Sequence, residues 1–339
     1  MAAKPRPLLD SPVREVAARL AGNYLDAAAR GLARIDDPAD PKGLHAFRVA
    51  IRRLRSLLRE YRPWMGRVAG GKVRRRLRDL TRVTNEQRDA DVQIGWLQTQ
   101  RGQITRIEQP GYRFMLHRLR DHKRRARRPA GGGTAQDFAD VVRMMGNRLD
   151  EADKTAPCAF REAFLERLAS GASELQPCLS AISGADDEEN VHDARIQVKR
   201  LRYLVEPLRR EFPEAQELVR RLKDLQVLLG NLHDMHVLED ELGAAIEVAA
   251  TEKARKLHQL ALSGDERSLE REQGRDERPG LLALAARARE RRDALFADFA
   301  RNWARDRRAL QGDLDVLRNA AAPARVRPRG GDSRRSMMT

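Results

Sequence analysis

The chain has 339 residues, with 66 lysines and arginines against 50 aspartates and glutamates, a formal net charge of +16 at pH 7. That length predicts two units of about 150 residues each, and the charge implies an acidic partner: nucleic acid, an anionic membrane surface or a phosphate polymer. No apolar run approaches the roughly 18 residues of a membrane span, and Met1 to Asp10 lack the apolar core of a signal peptide, so a soluble cytoplasmic protein is expected.

Residues 1–10 read as a flexible arm. Over 11–36, Val13, Val16, Leu20, Tyr24, Leu25 and Leu32 fall at helical spacing. A second helix is predicted over 41–62, ending at Pro63, and a third over 67–98. A fourth begins after Pro110-Gly111 and breaks at Arg128-Pro129-Ala130-Gly131-Gly132-Gly133, and a fifth covers 135–153. Downstream, helices are predicted over 159–182, 188–210, 214–248 and 279–318. The charged stretch 263–280 reads as a loop, and 319–339 as a disordered basic tail. Cys158 and Cys178 form no CxxC arrangement and read as reduced structural cysteines. No strand and no heptad run is predicted, so the fold class is all-α.

The second predicted helix recurs. Leu44-His45-Ala46-Phe47-Arg48-Val49-Ala50-Ile51-Arg52-Arg53-Leu54-Arg55 has its counterpart in Val191-His192-Asp193-Ala194-Arg195-Ile196-Gln197-Val198-Lys199-Arg200-Leu201-Arg202. At about 100° per residue, His45, Arg48, Arg52, Arg55 and Arg59 occupy one stripe roughly 80° wide. Phe47, Ala50, Ile51, Leu54, Leu57 and Leu58 take the opposite, core side. In the second copy His192, Arg195, Lys199 and Arg202 form the stripe, and Val191, Val198, Leu201, Leu204 and Val205 the core side; Glu206 interrupts the stripe's continuation. His45 to Arg59 spans roughly 21 Å of helix, a length suited to an extended polyanion. Asp40-Pro41 and Asp187 read as helix starts that place each histidine near a positive helix end.

The next helices repeat as well. Leu77-Arg78-Asp79-Leu80 matches Leu222-Lys223-Asp224-Leu225, and Arg88-Asp89-Ala90-Asp91-Val92 matches His233-Asp234-Met235-His236-Val237. Arg74, Arg75, Arg78 and Arg82 share a face, and the fourth helix carries a basic stripe of its own, Arg113, His117, Arg120, Arg124 and Arg127. A duplicated fold that kept an anion-binding face in both copies is the expectation, with bundles over 11–153 and 157–318.

These two motif copies, with the downstream Arg/His-Asp segments, resemble the CHAD family, the conserved histidine α-helical domain. The resemblance covers nearly the whole chain apart from the arm and tail. It implies two pseudo-symmetric four-helix bundles around a basic central cavity or groove, and binding of inorganic polyphosphate, with polyphosphate granules in the cytoplasm as the expected setting. The polyphosphate-binding residues expected are, in the first half, His45, Arg48, Arg52, Arg53, Arg55, Arg59, Arg75, Arg78, Arg88, Arg120 and Arg124. In the second they are His192, Arg195, Lys199, Arg200, Arg202, Lys223 and His233. Arg53 and Arg200 fit the family motif but lie off the stripe, where holding acidic neighbours is the alternative. Lys199 keeps charge where an arginine would give bidentate geometry.

Polyphosphate is a repeating anion without bases, so its binder needs many cations along a groove and no stacking platforms. Aromatic residues are 4% of the chain, whereas single-stranded nucleic-acid binders interleave them with cations. Non-specific binding of nucleic acid or other polyanions is the alternative. A histidine-based divalent-metal site at His233-x-x-His236 with Glu239 and Asp240 is the lesser one, since arginines crowding the site would repel a cation. No GxSxG, P-loop or dinucleotide loop is present, so neither catalysis nor a cofactor is expected.

Overall fold

A computed structural model of the chain describes residues 8–35, 40, 42–130, 132–149 and 158–323. Eleven α-helices are found among these residues: α1 (Val13–Leu32), α2 (Lys42–Glu60), α3 (Arg62–Met65), α4 (Gly71–Gln100), α5 (Gln109–Ala130), α6 (Gly132–Leu149), α7 (Phe160–Ser180), α8 (Glu188–Val205), α9 (Pro213–Ser263), α10 (Glu266–Gln273) and α11 (Arg278–Ala321). The fold is all-α; the sole strand-like feature among the described residues is an isolated bridge between Pro12 and Ala159. No described helix is long and apolar enough to cross a membrane.

Apolar periodicity explains the packing. Every residue assigned to the core side of the two motif helices is buried, from Phe47 to Leu58 on α2 and from Val191 to Val205 on α8. In the first half α1 packs on α2, α2 on α4, and α4 on α5 and α6. In the second, α7 packs on α8, α8 on α9, and α9 on α11. The motif helices α2 and α8 touch directly, and one hydrophobic cluster runs from Leu9 to Ala321 through both halves. Tyr61 of the first half stacks on Phe160 of the second with ring centroids 5.2 Å apart.

Several boundaries differ from the sequence expectation. The last residues of the expected arm, Leu8–Asp10, form a 3-10 turn with Leu9 in the core; residues 1–7 lie outside the described residues. The predicted helix 188–210 ends as α-helix at Val205 and finishes as a 3-10 turn, Glu206–Arg210. The helix predicted over 214–248 continues to Ser263, and most of the expected loop 263–280 is helical. There the Asp265 carboxylate accepts from the Ser268 N–H at 3.0 Å and starts α10. Pro110 and Gly111 lie inside the first turn of α5, where proline's missing N–H costs nothing. A Cβ on Gly111 would sit 2.7 Å from the Cα of Gly280, so α5 and α11 cross at two glycines. Residues 319–321 of the expected disordered tail continue α11, with Ala321 in the core; residues 150–153 of the fifth predicted helix, and the tail from 324, lie outside the described residues.

Candidate anion-binding site

Each motif helix begins on a side-chain cap. The Asp40 carboxylate accepts from the Lys42 N–H at 3.0 Å, and Arg34 donates to it, holding its carboxyl below the usual range. Asp187 accepts from the Asn190 N–H at 3.3 Å. Because core and cationic sides are fixed by the same helical period, burying Phe47, Ile51 and Leu54 turns Arg48, Arg52 and Arg55 onto a shared flank.

Packing brings the two flanks together. α4 runs antiparallel beside α2, and Arg48 Nη2 donates to Asn85 Oδ1 at 2.7 Å. On the other side the His192 and His233 rings lie 5.2 Å apart, centroid to centroid. The cations influence one another across the seam. Burial, then Arg195, Arg52, Arg88 and Arg55, push the Lys199 ammonium down to about 7. Burial, with Arg52 and Arg88, pushes Arg48 down to about 10, still charged at neutral pH. Partial desolvation and the nearby Arg52, Arg48 and Arg88 lower His45, and desolvation followed by Arg195 and His192 takes His233 down to about 4. Arg48 Nε, Arg52 Nε and His233 Nδ1 are buried without a hydrogen-bond partner. Such atoms ordinarily find one. No ion pair engages Arg48, Arg52, Arg55, Arg195 or Lys199 among the described residues.

Two crossed ion pairs border this cluster. Arg53 of α2 donates Nε to Glu206 Oε2 at 3.0 Å and Nη2 to Glu206 Oε1 at 2.5 Å. Arg200 of α8 donates Nε to Glu60 Oε1 at 3.1 Å and also meets Glu174. Each motif helix thus holds the end of the other. Glu60 and Glu206 are both buried, and although burial opposes charge on Arg53, Glu206 outweighs it and holds the guanidinium above its usual value.

With this geometry in place, comparison with known proteins places the molecule. The family model for the CHAD domain matches residues 18–243. This chain belongs to the CHAD domain family. Its fold is similar to the crystal structure of the CHAD domain from the plant Ricinus communis, at TM-score 0.56 and 19% identity over 88% of this chain and 97% of that one. It is also similar to PptA from Streptomyces chartreusis, at TM-score 0.62 and 15% identity over 87% of this chain and all of that one. No curated protein matches.

Not every cation expected to contact the ligand joins the cluster of this CHAD domain. Arg53 and Arg200 are engaged by carboxylates, in line with their positions off the stripe. Arg202, expected on the stripe, donates to Gln226 Oε1 at 2.8 Å and lies over the Tyr203 ring. Arg59 pairs with Glu60 at 3.2 Å. Arg88 reaches across the halves to Asp234, both oxygens at 2.7 Å. Arg75, Arg78, Arg120 and Lys223 are exposed, and Arg124 pairs with Asp121. Arg120 lines a separate cleft of about 940 Å³ between α5 and α9, with Arg113 and Val248. The partners Asn85, Asp234, Glu174 and Gln226 were missed, since no periodicity marks a side chain that acts across helices. Glu60 and Glu206 left a signal: acidic residues ending both motif copies.

Two residues of the histidine-based metal reading have other partners. His236 is buried with Nε2 on the Ala185 carbonyl at 2.7 Å, and Glu239 accepts from Arg292 at 2.7 Å. No group of three or more possible ligands of the His, Cys, Asp and Glu types is found among the described residues.

Proposed function

We propose that this protein binds long-chain inorganic polyphosphate, without catalysis, along the seam between α2 and α8. One observation carries the reading: Arg48, Arg52, Arg55, Arg195 and Lys199 come together from two helices with none of them in an ion pair among the described residues, while the carboxylates at the rim hold Arg53 and Arg200 instead. Asp234 and Asp89 act on Arg195, and Asp89 and Asp91 on Arg48, only from a distance. Like charges concentrated in a partly buried seam repel, by about 2 kcal/mol for a pair 7 Å apart at an effective dielectric near 20. A polyanion relieves that repulsion. Arginine's planar fork suits phosphate oxygens, and a ligand of repeating phosphates matches a row of cations better than one small anion does. Family membership supports the same ligand, and the mirrored packing order supports reading 11–153 and 157–318 as two copies of one bundle. Granule association in the cytoplasm follows from that ligand and belongs to the proposal.

The test is competition. Long polyphosphate is set against structured RNA and duplex DNA at equal phosphate concentration and stated salt, and it should displace both. Displacement of polyphosphate by RNA under those conditions would hand the site to nucleic acid.

A further inference from the structure

The two halves treat the outer end of the seam differently. In the first half the face of α4 that carries Asn85, hydrogen-bonded to Arg48, also carries Arg82, Arg78 and Arg75, all within roughly 80° of Asn85 on the helical wheel. All three are exposed and meet no carboxylate among the described residues. Burial, then Arg78 and Arg59, lower Arg55, which places Arg78 beside the end of the seam. From Asn85 to Arg75 the row extends roughly 15 Å along the helix.

The repeat positions in the second half are closed but for one. Arg202, the counterpart of Arg55, is held by Gln226 at 2.8 Å and lies 3.8 Å from Glu206. Arg220, the counterpart of Arg75, is held by Glu217 at 2.5 Å and Asp224 at 3.1 Å. Val227 stands where the first half has Arg82, and of these positions Lys223 is exposed and meets no carboxylate among the described residues. A polyanion leaving the seam meets a row of three free arginines on one side and a single free lysine on the other.

The geometry points to a one-sided extension of the site: a polyphosphate chain too long for the seam continues from Arg55 over Arg78, Arg75 and Arg82 of α4, and the first half sets the preference for long chains. This rests on the proposed ligand and adds a direction to it. Because the three α4 arginines are exposed, their replacement leaves the core intact.

The experiment compares tripolyphosphate with long-chain polyphosphate on the full-length protein, the R75A/R78A/R82A variant and the mirror variant R220A/K223A, with helicity checked by circular dichroism. The α4 variant should lose about tenfold for the long chain and under about twofold for tripolyphosphate, and its long-chain affinity should depend less steeply on salt. The mirror variant should stay within about twofold for both. Equal long-chain losses in the two variants, or equal losses for both ligands in the α4 variant, would overturn the one-sided track while leaving the seam as the site. Failure of the unmodified protein to bind either phosphate chain would instead overturn the seam reading, and the extension with it.

Discussion

The seam and the outer surface use the same residue type to opposite effect. Along α11, Arg305 pairs with Asp306 at 2.8 Å, Arg318 with Asp315 at 3.1 Å, and Arg301 with Asp298. On α9, Arg221 pairs with Asp313 at 2.6 Å. Those arginines carry their compensation within a turn or on the adjacent helix, and the exposed pairs on α11 contribute only about 0–1 kcal/mol each. In the seam the arginines are less exposed, and Arg48, Arg52, Arg55 and Arg195 form no ion pair among the described residues. Net charge alone therefore does not locate a site. The local balance of charge does.

The strongest way to break this comparison is to remove cations from each region. R48A/R52A/R55A should weaken long-polyphosphate binding by about a hundredfold, taking about 1 kcal/mol for each lost charge-assisted contact, with helicity retained. R301A/R305A/R318A on α11 should change affinity by less than about twofold. Titration calorimetry on both variants decides the matter, and equal losses would mean that diffuse charge, not the seam, attracts the ligand.

A second prediction sharpens the role of the rim. Breaking a largely buried ion pair costs about 3–5 kcal/mol; Arg53 retains 30% of its side-chain exposure, so R53E should destabilise the fold by about 2 kcal/mol. R53E/E206R should recover much of that loss in chemical denaturation. Polyphosphate affinity should fall and return in parallel, because the pair positions α2 against α8. Loss of binding with unchanged stability, unrescued by the reversal, would return Arg53 to the ligand.

The seam should also respond to pH where the surface does not. Lys199 falls to about 7 in the folded protein from an ordinary value near 10.5, so the native state binds fewer protons than the unfolded chain between those values. Its destabilising contribution is present in full below about pH 7 and is relieved as pH rises. A bound polyanion restores the proton. Affinity should then decline by about tenfold from pH 6 to pH 9, with proton uptake visible as a buffer-dependent binding enthalpy. K199R should flatten the profile, and an unchanged profile in K199R would remove Lys199 from the site.

The motif helices and their cores were legible because one period sorts both sides. Ile51 and Arg52 are neighbours in sequence, yet they point apart for the same reason that α2 is a helix. The long-range partners were not legible. Arg202 has the spacing of a ligand contact, but Gln226 on α9 and Glu206 at the end of its own helix draw it away. The stretch 263–280 read as a loop because its charge hid the helix, although glutamate and arginine are good helix formers and Asp265 supplies a cap.

The salt dependence of polyphosphate affinity tests the central claim most directly. Each cation–phosphate contact releases condensed counterions, so the logarithm of affinity falls linearly with the logarithm of salt concentration, at a slope set by the number of contacts. R48A/R52A/R55A should lower that slope by about three contacts' worth, while R301A/R305A/R318A should leave it unchanged. A slope unaltered by the seam substitutions, or lowered equally by those on α11, would contradict the account.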